Sequence, residues 1–343
     1  MRDLCTLMGY EWKKLLLRKG NVIVLVISLA LVCFVQFSLL LPGFTPHENM
    51  WEQMREVRAY ERARAGNEIT ALHEYHANFA ETLAFQLERG RVSQRGGDWV
   101  TQQHEAVPTP WIFYPTAGFG NFFSRSAFMT LVIFTAVAVS IAPLFPNEYR
   151  TGVAALQLAS KYGKSKLVTA KLLTAATFGL MVALFLTLSA LGTSLAVFGA
   201  DGARAMLQLY EPLSIYNLTV VQGAVILFAN IAARILFFSA GVVLLSAKLR
   251  SAFSTIIIAF VWIFMAGMIF IPVAIPWIFT FSRLVIAVTP DMVSPVRSTF
   301  SIVPYEIFGV FVPPFIFEGV FSLVGGIGLL CCAGWVFKRA QVG

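Results

Sequence analysis

Charge is what this 343-residue chain has least of: 13% of its residues are Asp, Glu, Lys or Arg, against 57% apolar ones and a mean hydropathy of +0.73. Soluble domains carry about 25% charged and about 45–50% apolar residues. That deficit excludes an ordinary soluble enzyme, a disordered chain and a repeat solenoid. Cysteine is also scarce, at four (Cys5, Cys33, Cys331, Cys332). None falls in the long polar stretch of residues 45–120, and no CxxC spacing occurs, so neither a disulfide framework nor a cysteine metal site is expected. All four histidines, His47, His73, His76 and His104, lie in that polar stretch. His73 and His76 share a helical face without a third ligand or an HExxH pattern, so no metal site is expected. The apolar runs hold no paired carboxylates and no Ser/His pair, which leaves an intramembrane enzyme without its chemistry.

What is present instead is a series of nearly charge-free runs of about 20 residues, the length a helix needs to cross about 30 Å of hydrocarbon. Six crossings are expected. They are Val22–Leu41, the run between Arg125 and Glu148, the run between Lys171 and Asp201, Ile215–Ala247 with one charge at Arg234, a run from Ser251 broken by Pro272 and Pro276, and Gly319–Phe337. The first apolar stretch is full length and lacks a small-residue cleavage site, so it is expected to stay as a span.

Basic residues divide these segments by side. Residues 1–19, the connections at 146–171 and 248–250, and the tail at Lys338-Arg339 hold 14 basic against three acidic residues, and the rest holds 12 against 15. All nine lysines fall in the first group. By the positive-inside rule both termini are cytoplasmic, and the net charge of +8 reports topology rather than nucleic-acid binding.

The segments between the spans follow. Residues 1–19 read as an interfacial elbow helix with Leu4, Leu7, Met8, Trp12, Leu15 and Leu16 at helical spacing; Glu11 falls on that apolar stripe, where it needs a partner. Residues 20–41 hold the first span. Residues 42–121 are an outward insert, read as a helical hairpin of His47–Arg64 and Asn67–Arg89 turning at Gly66-Asn67, with Leu72, Tyr75, Phe79 and Leu83 as the apolar stripe of its second helix and Gly90–Pro110 as loop. Residues 122–343 hold five further spans. Between the second and third of these six crossings, residues 148–160 form a short helix too short to span. Gly163-Lys164-Ser165 has the end of a P-loop but Leu158 where that motif needs glycine, so the chain is not expected to bind ATP itself. Residues 273–318, broken by six prolines from Pro276 to Pro314 with Pro272 just before them, read as broken helices dipping into the outer leaflet. Arg234 lies 14 residues from Lys248, roughly 21 Å along a helix. At that depth it needs a partner or water, with Asp291, Glu306 and Glu318 as the acids on offer. It is either a cavity-lining charge or an interhelical pin.

Taken in order, Glu11-Trp12-Lys13-Lys14-Leu15-Leu16 before the first span, Glu148-x-x-Thr151-Gly152 with Gly163-Lys164-Ser165-Lys166-Leu167 leading to Lys171, and Tyr305-Glu306-Ile307-Phe308-Gly309 with Pro313-Pro314 before a last span ending in Lys338-Arg339 resemble the type-2 ABC transporter permeases of bacteria. The likeness is to a Firmicutes-like branch with a helical extracellular insert, and it extends over nearly the whole chain. It implies an all-α polytopic membrane protein with six transmembrane helices in the bacterial plasma membrane. Its implied function is the permease subunit of an ATP-driven exporter, moving an amphipathic lipid, peptide antibiotic or drug outward. Implied partners are two ABC ATPase subunits, which carry the ATP and Mg, a second permease that is identical or different, and the bilayer; this chain holds no cofactor and no catalytic residue. The elbow and the helix at 148–160 are the coupling elements, placing Glu11, Glu148, Tyr149, Arg150, Thr151, Gly152, Leu156 and Lys161 at the ATPase contact, with Arg234, Glu306 and Glu318 as translocation-path or intramembrane charges. The alternatives are a non-transporting sensor subunit of such a complex and, with less in its favour, an intramembrane enzyme.

Overall fold

Apolar side chains all round a helix leave it stable only inside a bundle or in lipid, and the computed structural model is built from such helices. It describes residues 2–37, 50–66, 72–109, 111–153, 166–268, 276–291 and 294–339. In chain order the elements are α1 (Arg2–Leu16), α2 (Lys19–Phe37), α3 (Met50–Arg64), α4 (Leu72–Glu88), α5 (Gln94–Glu105), α6 (Ala117–Ser124), α7 (Ser126–Ile141), α8 (Pro146–Arg150), α9 (Val168–Phe198), α10 (Val220–Leu249), α11 (Ala252–Met268), α12 (Pro276–Ala287), α13 (Pro295–Thr299), β1 (Tyr305–Ile307), β2 (Val310–Val312) and α14 (Pro314–Arg339).

Among the described residues five helical stretches are long and apolar enough to cross a membrane: Lys19–Phe37, Ser126–Arg150, Val168–Phe198, Val220–Leu249 and Pro314–Val336. The protein is a mostly helical, polytopic membrane protein. The fifth of the six expected crossings, the run from Ser251, is described as α11, whose 17 residues reach about 25 Å and which is not among those five. Residues 269–275, including Pro272, lie outside the described residues, and Pro276 opens α12 at the first helical position, where its missing N–H costs nothing.

The core lies along α7, α9 and α10. Phe134 of α7 meets Phe238 of α10 with ring centroids 4.9 Å apart, and Trp262 of α11 closes on Phe238 at 5.1 Å. The α10–α14 pair is close because of Gly325 and Gly326: a Cβ at Gly326 would stand 3.0 Å from the Phe237 backbone nitrogen, and one at Gly325 2.6 Å from the Phe237 ring. The glycine-rich stretch of the last span thus has α10 as its neighbour. A capping box starts α10, with Thr219 Oγ1 accepting from Gln222 N–H and Gln222 Oε1 accepting from Thr219 N–H.

The two ends of the bundle differ. At one end α1 packs on the start of α9, and the last turns of α14 reach the same level, since Gly334 sits against Leu172. Both ends of the described chain are therefore on one side of the bundle. At the other end, the insert end, Asn121 of α6 donates to Gln36 O (3.0 Å), Gln36 Oε1 (3.1 Å) and Ser194 Oγ (3.0 Å), tying α2, α6 and α9 together.

The insert departs from the expected hairpin. Helices α3 and α4 form, but α3 lies on the end of α9, where Arg62 pairs with Asp201 (2.9 Å) and Arg58 donates to the Ala196 carbonyl. Helix α4 pairs with α5, the Phe79 and His104 rings stacking at 3.7 Å. The segment expected as loop, Gly90–Pro110, contains α5, capped by Ser93 Oγ accepting from Gly96 N–H. Two glycines disguise this helix. They are there because a Cβ at Gly96 would stand 2.9 Å from Val92 and one at Gly97 3.2 Å from Leu87. In the outer region 273–318, α12 and α13 are short helices as expected. Residues 305–312, however, form an antiparallel β-hairpin, with Glu306 opposite Phe311 and a two-residue turn of Phe308 (φ 49°) and Gly309 (φ 80°).

Candidate functional site

Two buried clusters of charge stand out in a bundle with so few charges. The first is at the end that holds both chain ends. Helix α1 turns Glu11 and Leu15 inward, with Trp12 donating to Thr177 Oγ1 at 3.1 Å and packing on Phe178. Glu11 then faces Lys171, one turn inside α9, at 2.9 Å. Lys171 also donates to Glu148 Oε1, and Lys14 reaches Glu148 at 3.0 Å and Glu11 at 3.8 Å. Lys171 is 0% exposed, Glu11 6% and Glu148 3%. The two carboxylates and two ammonium groups named here balance one another, which is the condition for keeping charge out of water. It joins α1, the α7–α8 corner and α9. Asn21 Nδ2 fixes the α1–α2 joint through the Leu15 carbonyl (3.0 Å), Ser246 Oγ of α10 donates to the Ala142 carbonyl (2.8 Å), and Arg250 lies 5.0 Å from the Tyr149 ring.

The residues expected at a partner contact divide accordingly. Glu11 and Glu148 are enclosed by their own chain, where their carboxylates pair with Lys171 and Lys14. Tyr149 is half-buried against Arg250. Arg150, Thr151, Gly152 and Val153 are exposed at the tip of this end, where Gly152 supplies a positive φ of 70°. Leu156 and Lys161 lie outside the described residues. Lys171 is the residue sequence reasoning counted only as a flanking charge. Its signal was there: unlike Lys161, Lys164 and Lys166, it follows the apolar Val168 and is surrounded by Ala170, Leu172 and Leu173.

The second cluster pairs Arg234, about midway along α10, with Glu318 in the second turn of α14. The Arg234 Nη2–Glu318 Oε2 distance is 2.7 Å, and both side chains are buried. Tyr305 of β1 donates its hydroxyl to Glu318 Oε1 at 3.1 Å, and the Arg283 guanidinium lies 3.9 Å from the Tyr305 ring centroid. Of the three acids on offer to Arg234 the geometry selects Glu318, and Glu306 is exposed. Alternation along β1 sends Tyr305 inward and Glu306 outward. Burial and the neighbouring carboxylate of Glu318 push the Tyr305 hydroxyl well above the usual phenol range, so it stays a proton donor.

At the insert end Glu211 is buried and meets Arg297 at 3.4 Å. Burial raises its carboxyl above the usual range, with the Arg297 charge opposing. The adjacent Tyr210 is pushed up to about 12 by burial and by Glu211. Among the described residues no group of three or more His, Cys, Asp or Glu is placed to hold a metal ion. The side chains of His73 and His76 lie outside the described residues. Comparison with profiles of known protein families, with curated proteins and with solved structures gives no match.

Proposed function

We propose that this chain is the permease subunit of an ATP-driven exporter of the type-2 ABC kind, which moves an amphipathic substrate outward and takes its energy from separate ATPase subunits. The observation that carries this reading is the Lys171-centred cluster. A membrane subunit driven from outside the bilayer needs an element that receives a push and passes it to the spans without yielding. The exposed tip Arg150–Val153 is such a contact, and the cluster behind it binds α8, α1 and α9 into one unit, so that displacement of the tip moves a span 31 residues long. Arg234–Glu318 then acts as a pin between α10 and α14 rather than as a charge open to substrate. On this reading the basic end faces the bacterial cytoplasm, and a second permease and two ATPases complete the assembly.

The test is purification of the tagged full-length chain from its native membrane. A nucleotide-hydrolysing subunit with a GxxxxGK[ST] loop should accompany it, one for each permease chain recovered, and Gly152→Val should lower that recovery or uncouple hydrolysis from transport. Recovery of the chain with no such subunit, or nucleotide hydrolysis by the chain alone, overturns the proposal. Labelling of a thiol placed at Arg150 by an impermeant reagent on intact cells overturns the orientation.

A further inference from the structure

A cavity of about 180 Å³ lies where the insert meets the outer segment of the bundle, between the start of α5, the end of α12 and the β-hairpin. That is far more than the about 10–15 Å³ a single water requires. Its walls are mostly polar, and the charges on them are Arg91 from the insert, Arg283 from α12 and Glu306 from β1.

Both guanidinium groups are held in place before any ligand arrives. Arg91 Nη1 donates to Gln86 Oε1 at 3.4 Å. Arg283 stacks on Tyr305 and donates to the Pro304 carbonyl, also at 3.4 Å. Planar guanidinium forks positioned in this way match the oxygens of a phosphate or carboxylate, and positioning them beforehand lowers the ordering cost of binding. Ser93 and Gly96, from the N-cap and first turn of the 12-residue helix α5, line the same cavity. They add the positive end of the helix dipole. Ser93 Oγ accepts from Gly96 N–H, which leaves its hydroxyl proton for a ligand oxygen.

We propose that this cavity is a binding site for a phosphate ester, gripped by Arg91 and Arg283 at the α5 N-terminus and carried by a phospholipid headgroup or by a free small molecule. The site goes beyond the transport reading and stands without it, because none of its residues belongs to the tip or to the Lys171 cluster. It makes the insert a ligand-binding element. The ligand would bridge insert and bundle, since Arg91 belongs to one and Arg283 to the other. Arg283 also touches Tyr305, whose hydroxyl holds Glu318, so the cavity wall and the α10–α14 pin share a contact.

The experiment uses the full chain alone. Glycerol 3-phosphate is titrated calorimetrically against the detergent-solubilised protein, and retention of phosphatidylglycerol is measured by native mass spectrometry after extraction from nanodiscs of that lipid. Arg91→Gln should weaken binding about tenfold, the scale of one charge-assisted hydrogen bond, with Arg91→Lys intermediate. Arg95→Gln, an exposed charge in the first turn of α5 outside the cavity, should change nothing. Glu306→Gln should tighten binding by removing the one acid on the wall. This pattern with glycerol 3-phosphate identifies a free ligand; the pattern with phosphatidylglycerol only identifies a lipid. Equal losses in Arg91→Gln and Arg95→Gln indicate diffuse surface charge and overturn the site. Glu306→Gln that leaves binding unchanged or weaker overturns it too, and needs no folded Arg91 variant.

Discussion

Replacing Lys171 with methionine puts the first cluster to its most direct test. Methionine keeps the length and apolar volume of the lysine stem and removes only the ammonium group. Glu11 and Glu148, 6% and 3% exposed, then keep Lys14 at 3.8 and 3.0 Å, and Lys14 is itself half in solvent, with its side chain 50% exposed. Removing one partner of a buried ion pair costs about 3–5 kcal/mol, because the charge left behind stays out of water. The least costly relief is to lift α1 off α9, which hydrates Glu11. At about 1.4 kcal/mol per decade that raises the population of lifted states by about a hundredfold or more. Leu15 reports it, being buried under α1, 4% exposed. In a cysteine-free background carrying Leu15→Cys, maleimide labelling should therefore accelerate by about a hundredfold in Lys171→Met. Adding Glu11→Gln should return most of the protection, since Glu148 and Lys14 then form a neutral pair. A labelling rate within about threefold of the parent, or no recovery in the double variant, refutes the argument that charge balance holds α1 down.

The other tests address the second cluster, the helix contact and the insert end. Arg234→Met and Glu318→Gln singly should each destabilise the detergent-solubilised protein by about 3–5 kcal/mol, whereas Arg234→Met/Glu318→Met should recover most of that loss; additive losses in urea unfolding would deny a pin. Gly326→Leu should separate α10 from α14, since a Cβ there meets Phe237 backbone at 3.0 Å and backbone cannot rotate aside; unchanged crosslinking between cysteines placed at Asn230 and Gly319 would count against it. For Glu211, a folded-state pKa raised by burial means that its contribution to stability is complete below the unfolded carboxylate value of about 4.3 and is lost as pH rises through the folded value. Glu211→Gln should thus be more stable than the parent at neutral pH, with the advantage vanishing as pH falls below about 4; a constant difference across that range refutes the assignment.

Five of the crossings were legible because a charge-free run about 20 residues long has few other uses. The need of Glu11 for a partner was legible too, since a carboxylate on an apolar stripe is costly wherever the helix lies. Its partner was not. Lys171 is 160 residues away, and only the packing of α1 on α9 brings them together. The choice between Glu306 and Glu318 likewise depended on a fact without local signal: apart from Glu306, residues 305–312 are apolar, flanked by proline and short, so nothing distinguished a hairpin from a broken helix. Alternation within that hairpin then decides which acid faces inward. Helix α5 was hidden for the opposite reason. Local propensity argued against it at Gly96 and Gly97, and close packing on Val92 and Leu87 overrode that propensity.

The two clusters use the same ion-pair chemistry to different ends, and the difference lies in access to water. Arg234 and Glu318 are both buried, with a single tyrosine hydroxyl added, so separating them strands two charges in a dry interior. Together with the close approach at Gly326, this fixes α10 to α14. The Lys171 cluster has one corner in solvent, at Lys14, so water can follow the charges if the cluster is strained. Resistance to displacement is therefore greatest between α10 and α14 and smaller around α1. On the proposed transport reading, a push at the Arg150–Val153 tip is met first by the cluster that can hydrate. It would then move α9 as a body only so long as Lys171 holds both carboxylates, which would place the control of such movement in that one ammonium group.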